Sequence, residues 1–218
     1  MTYSVKEIYL TVQGEGAQTG IPAVFLRFAG CNLWSGLEKD RASAICKFCD
    51  TDFVGTNGPN GGKFKTAPEL VQAVAKHWPL LGQKGGGQPW VVCTGGEPLL
   101  QLDEPLIDAF HEAGFKVAVE TNGTIKAPKG LDWICVSPKA DVKLVQLSGH
   151  ELKLVYPQSE NKPEDFVHLE FDIFCLQPRD DSYLGTKKAA HDKAAFDYCL
   201  AHPKWRLSVQ THKYIGVP

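Results

Sequence analysis

Short apolar runs recur along the chain, and each closes on a cluster of glycine, threonine, asparagine or charged residues. The runs at Val5–Val12, Ala23–Phe28, Trp90–Thr94, Lys116–Glu120, Trp133–Ser137, Glu151–Tyr156, Phe171–Gln177 and Trp205–Val209 read as strands. Most are apolar at consecutive positions, the mark of strands covered on both faces. Other stretches carry the helical period. One begins near Thr66, where Thr-Ala-Pro-Glu supplies a capping box of Thr66 and Glu69 and an early proline. Its apolar positions are Leu70, Val71, Val74 and Trp78. A second starts after Asp103 and stops at Gly114, with Leu106, Ile107 and Phe110 inward. A third runs from Lys187 to His202 and ends at Pro203.

Apolar strands separated by helices imply a parallel sheet covered by helices. The helical content is too thin for eight complete repeats, so the pattern predicts an α/β fold: a partial, open β/α barrel with a mostly parallel sheet. No repeat, low-complexity tract or domain boundary interrupts 1–218, which reads as a single domain. Gly55–Gly62 and Gly82–Gly87 read as surface loops. Ligands of such folds bind at the carboxyl ends of the strands. There the chain places Thr94-Gly95-Gly96-Glu97, Glu120-Thr121-Asn122-Gly123, Ser137-Pro138-Lys139 and Gln177-Pro178-Arg179-Asp180. Four strand ends thus deliver hydrogen-bonding residues to one face, which marks an active site without naming a reaction.

Charge narrows the classes. The 218 residues hold 23 basic and 25 acidic side chains, for a net charge of −2. That balance is no electrostatic footprint for nucleic acid or anionic lipid. No apolar run reaches the length of a membrane span and no signal peptide opens the chain, so the expectation is a soluble cytoplasmic protein with no nucleic-acid or membrane partner.

Cysteine is the informative residue, with seven copies. Cys93, Cys135 and Cys175 sit inside strands and Cys199 in the third helix, where each reads as a small buried hydrophobe. Cys31, Cys46 and Cys49 crowd loop-like sequence beside Gly, Asn and Asp. A structural zinc site wants four ligands. The nearest downstream histidine, His77, falls on a helix. Three thiolates suit a [4Fe–4S] cluster that leaves one iron open to a ligand.

These three cysteines after an early strand, the aromatic Phe48 just before the last of them, and Gly95-Gly96-Glu97 after the next strand resemble the radical S-adenosylmethionine (SAM) superfamily. The spacing departs from that superfamily's usual C-x3-C-x2-C, for here it is C-x14-C-x2-C. A closer resemblance accounts for the departure. Over essentially its whole length the chain is similar to the 7-carboxy-7-deazaguanine synthase family, some members of which carry such an enlarged cluster loop. The resemblance rests on Val12-Gln13-Gly14-Glu15-Gly16, Arg27-Phe28-Ala29-Gly30-Cys31-Asn32-Leu33-Trp34, Cys49-Asp50-Thr51-Asp52-Phe53, Thr94-Gly95-Gly96-Glu97-Pro98, Glu120-Thr121-Asn122-Gly123, Ser137-Pro138-Lys139 and Gln210-Thr211-His212-Lys213-Tyr214.

The resemblance implies one radical SAM domain in which Cys31, Cys46 and Cys49 hold the cluster and its open iron binds the amino and carboxylate groups of SAM. Cleavage of SAM then yields a 5′-deoxyadenosyl radical that removes hydrogen from C6 of 6-carboxy-5,6,7,8-tetrahydropterin. The ring contracts, ammonia leaves and 7-carboxy-7-deazaguanine forms, on the route to queuosine and related 7-deazapurines. No side chain is catalytic by itself. Gly96 would face the methionine moiety of SAM, although an ordinary tight turn also explains it. Phe48 would pack on the adenine, unless it is a core aromatic. Ser137, Pro138, Lys139, Gln177, Pro178, Arg179 and Asp180 would complete the SAM site, with Glu120 a further candidate for the ribose.

For the pterin, the resemblance offers Val12, Gln13, Gly14, Arg27, Thr94 and Pro218, with Glu15 a weaker candidate. Arg27 can grip a carboxylate with its planar fork, but it lies in the apolar strand AVFLRFAG, where an ion pair with a core acid is the alternative. Thr51 would hold a Mg²⁺ ion, or cap the next turn. The apolar tail residues Tyr214, Ile215 and Val217 read as docked, bringing Pro218 to the pterin or closing the barrel edge as a strand. A flavodoxin or ferredoxin electron donor and a homodimer are implied by the family alone. A radical SAM activase that places a glycyl radical on a partner enzyme, and a simple metal-binding module, are the competing classes.

Overall fold

The computed structural model describes residues 2–79, 83, 86–139, 142–180 and 188–218. Its strands are β1 (Tyr3–Val12), β2 (Pro22–Phe28), β3 (Gly62–Phe64), β4 (Trp90–Gly95), β5 (Lys116–Thr121), β6 (Trp133–Val136), β7 (Ser148–Tyr156), β8 (Glu170–Pro178) and β9 (Trp205–Leu207). They form one sheet in the order β3-β1-β2-β4-β5-β6-β7-β8-β9. Every neighbouring pair from β2 to β9 is parallel, while β1 runs antiparallel to both β2 and β3. The first and last strands of that order are its edges, so the barrel is open, as the thin helical content predicts.

Two helices cover one end of the sheet: α1 (Ala67–Ala75) and α2 (Glu104–Glu112). The Thr66 side chain accepts from the Glu69 amide and starts α1; Asp103 accepts from the Leu106 amide and starts α2. Their apolar faces meet the outward residues Val24, Leu26, Val91, Cys93, Val117 and Val119, all fully buried. At the other end α3 (Lys188–Ala201) lies over β7, β8 and β9, with Ala195 packed among Leu152, Leu154, Leu176 and Trp205. Lys187, the expected start of α3, lies outside the described residues, as do Gly82, Lys84 and Gly85 of the Gly82–Gly87 loop.

Helices do not separate all the strands. Among the described residues the connections β5–β6, β6–β7 and β7–β8 carry no α-helix. After β5 the chain instead folds back on the core, packing Ile125, Ala127 and Leu131 where a helix would lie. Pro128 and Gly130 punctuate that stretch. The short β3 falls at the end of a Gly-rich segment that reads as loop; three residues offer too little alternation to reveal a strand. Beyond β9 the chain forms α4 (Thr211–Ile215), a short helix and not an edge strand. Tyr214 and Ile215 are 67% and 63% exposed, so the apolar tail is not held by burying them.

Period-two alternation decides what faces the barrel interior. Ala23, Val92 and Ala118, with Phe25, Trp90 and Trp133, fill its floor. Register then carries Arg27 beside Thr94, Glu120 beside Cys135, Cys135 beside Glu151, and Lys153 beside Cys175. The inner face is therefore apolar low down and ionisable towards the carboxyl ends. Among the described residues no helix is long and apolar enough to cross a membrane.

Candidate active site

Above the apolar floor lies a cavity of about 450 Å³. The parallel strands contribute Arg27, Thr94, Glu120, Lys153 and Gln177 to its wall, and the end of β1 with the turn after it contributes Val12, Gln13, Gly14 and Glu15. Ser137, Lys139, Pro178 and Asp180 are also on the wall, from the ends of β6 and β8. Phe48, Cys49, Thr51 and Gly96 close one side, and Pro218 reaches the mouth. Pro138 and Arg179 do not reach it. The Pro138 carbonyl accepts from Gln158, while the Arg179 guanidinium donates to the Pro157 carbonyl at 3.1 Å, away from the cavity.

A buried charge network forms the far wall. Lys153 Nζ lies 2.9 Å from Glu15 Oε2 and 2.9 Å from Glu120 Oε2. Gln13 donates to Glu120 Oε1 at 3.1 Å, and Gln177 and Gln210 both donate to Glu15 Oε1. Burial pushes the Glu15 carboxyl up, but the Lys153 ammonium and the hydrogen bonds from Lys153 and Gln210 hold it down at about 2. Glu151 sits alongside and goes the other way: burial raises its carboxyl despite the nearby Lys153. The result is a polar lining with every amide and carboxylate of Gln13, Glu15, Glu120 and Gln177 engaged, rigid and fixed in orientation.

Arg27 anchors the opposite wall. Its Nε donates to Glu7 Oε1 at 2.7 Å and its Nη2 to the Tyr9 hydroxyl at 3.0 Å. Burial works against the guanidinium charge, but Tyr9 and Glu7 outweigh it and raise its affinity for the proton. The acid partner that an arginine in an apolar strand requires is thus Glu7, opposite it in the β1–β2 register. All three residues line the cavity.

The three clustered cysteines are free thiols; Cys46 is buried, and Cys31 and Cys49 are half-buried. Cys49 is on the cavity wall, which Cys31 and Cys46 do not line. Burial raises the Cys31 and Cys46 thiols, and the neighbouring thiol charges add to it. The Leu33 amide donates to Cys31 Sγ at 3.4 Å. Among the described residues no three Cys, His, Asp or Glu side chains close on a point as ligands of one ion would. A cubane offers a separate iron to each thiolate, so three soft donors beside an open cavity fit that group. Beside them, Lys139 donates to Ser137 Oγ and holds its ammonium 5.9 Å from the centre of the Phe48 ring.

Gly95-Gly96-Glu97 joins the thiol loop to the sheet. A Cβ on Gly96 would lie 2.2 Å from the Gly30 carbonyl oxygen and 2.7 Å from Cys31 Cβ. The Glu97 amide donates to that same carbonyl at 2.9 Å. The fully buried Glu97 carboxylate then accepts from Leu99 and Asn122 amides and the Thr121 hydroxyl. Burial raises this carboxyl against those bonds. Gly96 is therefore required by the approach of the thiol loop itself, and Glu97 is the bracket behind it.

The C-terminal helix forms the lid of the cavity. Thr211 donates to the Gly14 carbonyl through its amide and its hydroxyl, and the His212 ring lies where a Cβ of residue 14 would be, 2.0 Å from Nδ1. Lys213 bridges Asp180 at 2.7 Å and Asp50 at 3.3 Å. The Thr11 hydroxyl donates to Pro218 O at 2.8 Å. These polar contacts dock the tail while its apolar side chains stay outside.

Glu7, Tyr9 and Lys153 of the wall have no place in the reading from sequence, and Gln210, His212 and Lys213 enter it only as part of the resemblance, with no role of their own. One had a usable signal. Lys153 sits in ELKLVY just as Arg27 sits in AVFLRFAG, a cation inside an apolar strand that demands a buried partner. Glu7 and His212 carry no such mark.

No protein-family model matches the chain. Whole-length relatives do. The chain is 62% identical over 218 residues to 7-carboxy-7-deazaguanine synthase of Caulobacter vibrioides, covering 100% of both chains. It is 57% identical to that of Burkholderia multivorans and 60% identical to that of Bordetella pertussis, again over 100% of each. In three dimensions it is similar to the crystal structure of QueE from Escherichia coli, with a TM-score of 0.69 and 27% identity over 97% of this chain and 95% of that one. Relatives of this name decide for a synthase against an activase. The chain is an enzyme of the radical SAM type, for which a [4Fe–4S] cluster and SAM are expected, and it belongs to the 7-carboxy-7-deazaguanine synthase family.

Proposed function

We propose that the chain converts 6-carboxy-5,6,7,8-tetrahydropterin to 7-carboxy-7-deazaguanine, with the three thiols of the enlarged loop as the ligands of its cluster. The observation that carries this reading is the meeting of that loop, the Gly96 turn and four polar strand ends around one cavity in a chain 62% identical to such a synthase. When bound, the cluster and SAM would supply the radical chemistry that hydrogen removal at C6 of the pterin and loss of ammonia require.

The protein's share is binding, orientation and exclusion of water. Cys31, Cys46 and Cys49 hold the cluster. Phe48 packs on the adenine, with Lys139 beside it, and Ser137, Gln177, Pro178 and Asp180 face the ribose and base. Pro138 and Arg179 do not line the cavity and serve by holding the turns that carry their neighbours, the Pro138 carbonyl on Gln158 and the Arg179 guanidinium on the Pro157 carbonyl. Gln13, with the backbone of Val12 and Gly14, meets the donor and acceptor edge of the pterin. Arg27, already anchored on Glu7 and Tyr9, meets its carboxylate. Thr94 adds a hydroxyl, and Pro218 closes the mouth. Thr51 is the oxygen donor for a Mg²⁺ ion that also touches the substrate, a hard cation suited to hydroxyl and carboxylate oxygen.

The test is anaerobic reconstitution followed by turnover with SAM, a one-electron reductant such as flavodoxin and the pterin. Product is expected only with all three. Replacing Cys31, Cys46 or Cys49 by Ala should abolish the iron–sulfur absorption and turnover, while Cys199→Ala keeps both. A colourless protein that forms product in the absence of iron would overturn the reading.

A further inference from the structure

The stretch between Cys31 and Cys46 is long for a cluster loop, and nothing above assigns it a task. The C-x2-C turn it leads to has no regular structure of its own: residues 46–53 lie in neither helix nor strand. Such a turn needs side chains to hold it. In the middle of the long stretch is a 3-10 segment, Glu38–Ser43, and from it Arg41 reaches across.

Arg41 Nη1 donates to the carbonyl of Lys47 at 2.9 Å and to the carbonyl of Cys49 at 3.0 Å. These are the carbonyls on either side of Phe48. Its Nε lies 2.8 Å from both oxygens of Glu38, and its guanidinium carbon is 4.2 Å from the centre of the Trp34 ring. Trp34 is buried, packs edge-on against Phe53 at 5.6 Å, and follows Cys31 by three positions. The 3-10 segment is itself fixed: Ser35 donates to the Asp40 carboxylate, and the Ile45 and Cys46 amides both donate to the Leu33 carbonyl. One cation therefore touches both halves of the loop, the Cys31 half through Trp34 and the Cys46–Cys49 half through two carbonyls.

We propose that Arg41 is a positioning residue, and that the enlarged loop exists to present it: its guanidinium fixes the carbonyls of the two residues flanking Phe48 and so sets both the spacing of the three thiols and the pose of the adenine-facing ring. The inference rests on the reading of Cys31, Cys46 and Cys49 as cluster ligands and of Phe48 as a SAM contact. The Glu38 pair is exposed on the acid's side and adds little by itself; it serves to aim the fork. Donation from a charged planar group to two carbonyls, with its face on an indole, is a geometry that a lysine ammonium cannot reproduce.

The test compares wild type with Arg41→Lys and Arg41→Ala after anaerobic reconstitution. Three quantities are read: iron per chain, the rate at which a chelator removes that iron, and KM for SAM and for the pterin separately. Loss of a charge-assisted contact of this kind predicts KM for SAM raised about tenfold in Arg41→Lys, with KM for the pterin unchanged. In Arg41→Ala iron loss to the chelator should also accelerate. If Arg41→Ala fails to fold by circular dichroism, Arg41→Lys decides alone. Wild-type KM for SAM and wild-type iron retention in Arg41→Lys would overturn the proposal. A wild-type protein that takes up no iron would instead remove the reading on which it rests.

Discussion

Lys153 and Glu15 form an ion pair at 2.9 Å inside the barrel, one from β7 and the other from the turn after β1. The lysine side chain is 4% exposed and also serves Glu120 at 2.9 Å. Removing it would leave two carboxylates facing each other with little water. Breaking a buried pair by deleting one partner costs about 3 kcal/mol or more, which for a domain of this size lowers Tm by roughly 6–12 °C. Lys153→Met is expected to show that loss by calorimetry. Adding Glu15→Gln to it should recover part of the stability, because one orphaned charge is then gone. Additive losses in the double variant would show that the two residues are not coupled.

The same pair predicts a slope in acid. The Glu15 carboxyl is held at about 2, below its ordinary 4.5. A carboxyl lowered on folding contributes stability that is fully present above its unfolded value and is lost as pH falls through the folded one. The window is therefore pH 4.5 down to about 2, and the contribution is on the order of 3 kcal/mol. Glu97 and Glu151 are raised by burial and act in the opposite sense. The comparison of wild type with Glu15→Gln isolates the effect: urea unfolding across this window should give a shallower pH dependence for the variant. Parallel curves would rule it out.

Gly96 offers a steric prediction. The atoms that a Cβ there would meet, at 2.2 and 2.7 Å, belong to Gly30 backbone and to Cys31, neither of which can swing aside. Gly96→Ala should push the thiol loop off the sheet, at a cost of about 1–3 kcal/mol, and the reconstituted protein should hold far less iron than wild type. Gly62→Ala is the control, since its Cβ meets only ordinary contact at 3.7 Å with Phe64. Full iron content in Gly96→Ala would show that the loop tolerates the shift.

How much of this was legible depended on range. Strand β2 and the strands from β4 to β8 were readable because burial on both faces leaves an apolar run, and the polar strand ends followed from the direction of a parallel sheet. Arg27 announced its own need for a partner, yet the partner's identity depended on β1–β2 register. Glu15 with Lys153, and Arg41 with the carbonyls around Phe48, join segments that only the folded chain brings together. The tail misled for a different reason. Tyr214, Ile215 and Val217 are apolar, but hydrophobicity buries a side chain only where sheet or helix remains to cover it. Here Thr211, Lys213 and the His212 ring against Gly14 do the docking. Helix-free crossovers were equally hidden, because Ile125, Ala127 and Leu131 fill a helix's place without its period.

Arg27 gives the sharpest separation of the two ligand sites. Its Nε and Nη2 are tied to Glu7 and Tyr9, so the guanidinium enters the cavity with a fixed plane and a fixed edge. A bidentate grip on a carboxylate needs both. Lysine keeps the charge and loses the plane, and one ammonium cannot hold Glu7, Tyr9 and a substrate carboxylate in the same geometry. Arg27→Lys is therefore expected to raise KM for the pterin about tenfold while KM for SAM changes by less than about twofold, the pattern of a lost binding contact on one ligand only. Iron content should match wild type, since the side-chain bonds of Arg27 go to Glu7 and Tyr9 and not to the thiol loop. Equal rises in both KM values would mean that Arg27 shapes the whole cavity and does not grip the pterin. An unchanged pterin KM would assign the carboxylate to another cation.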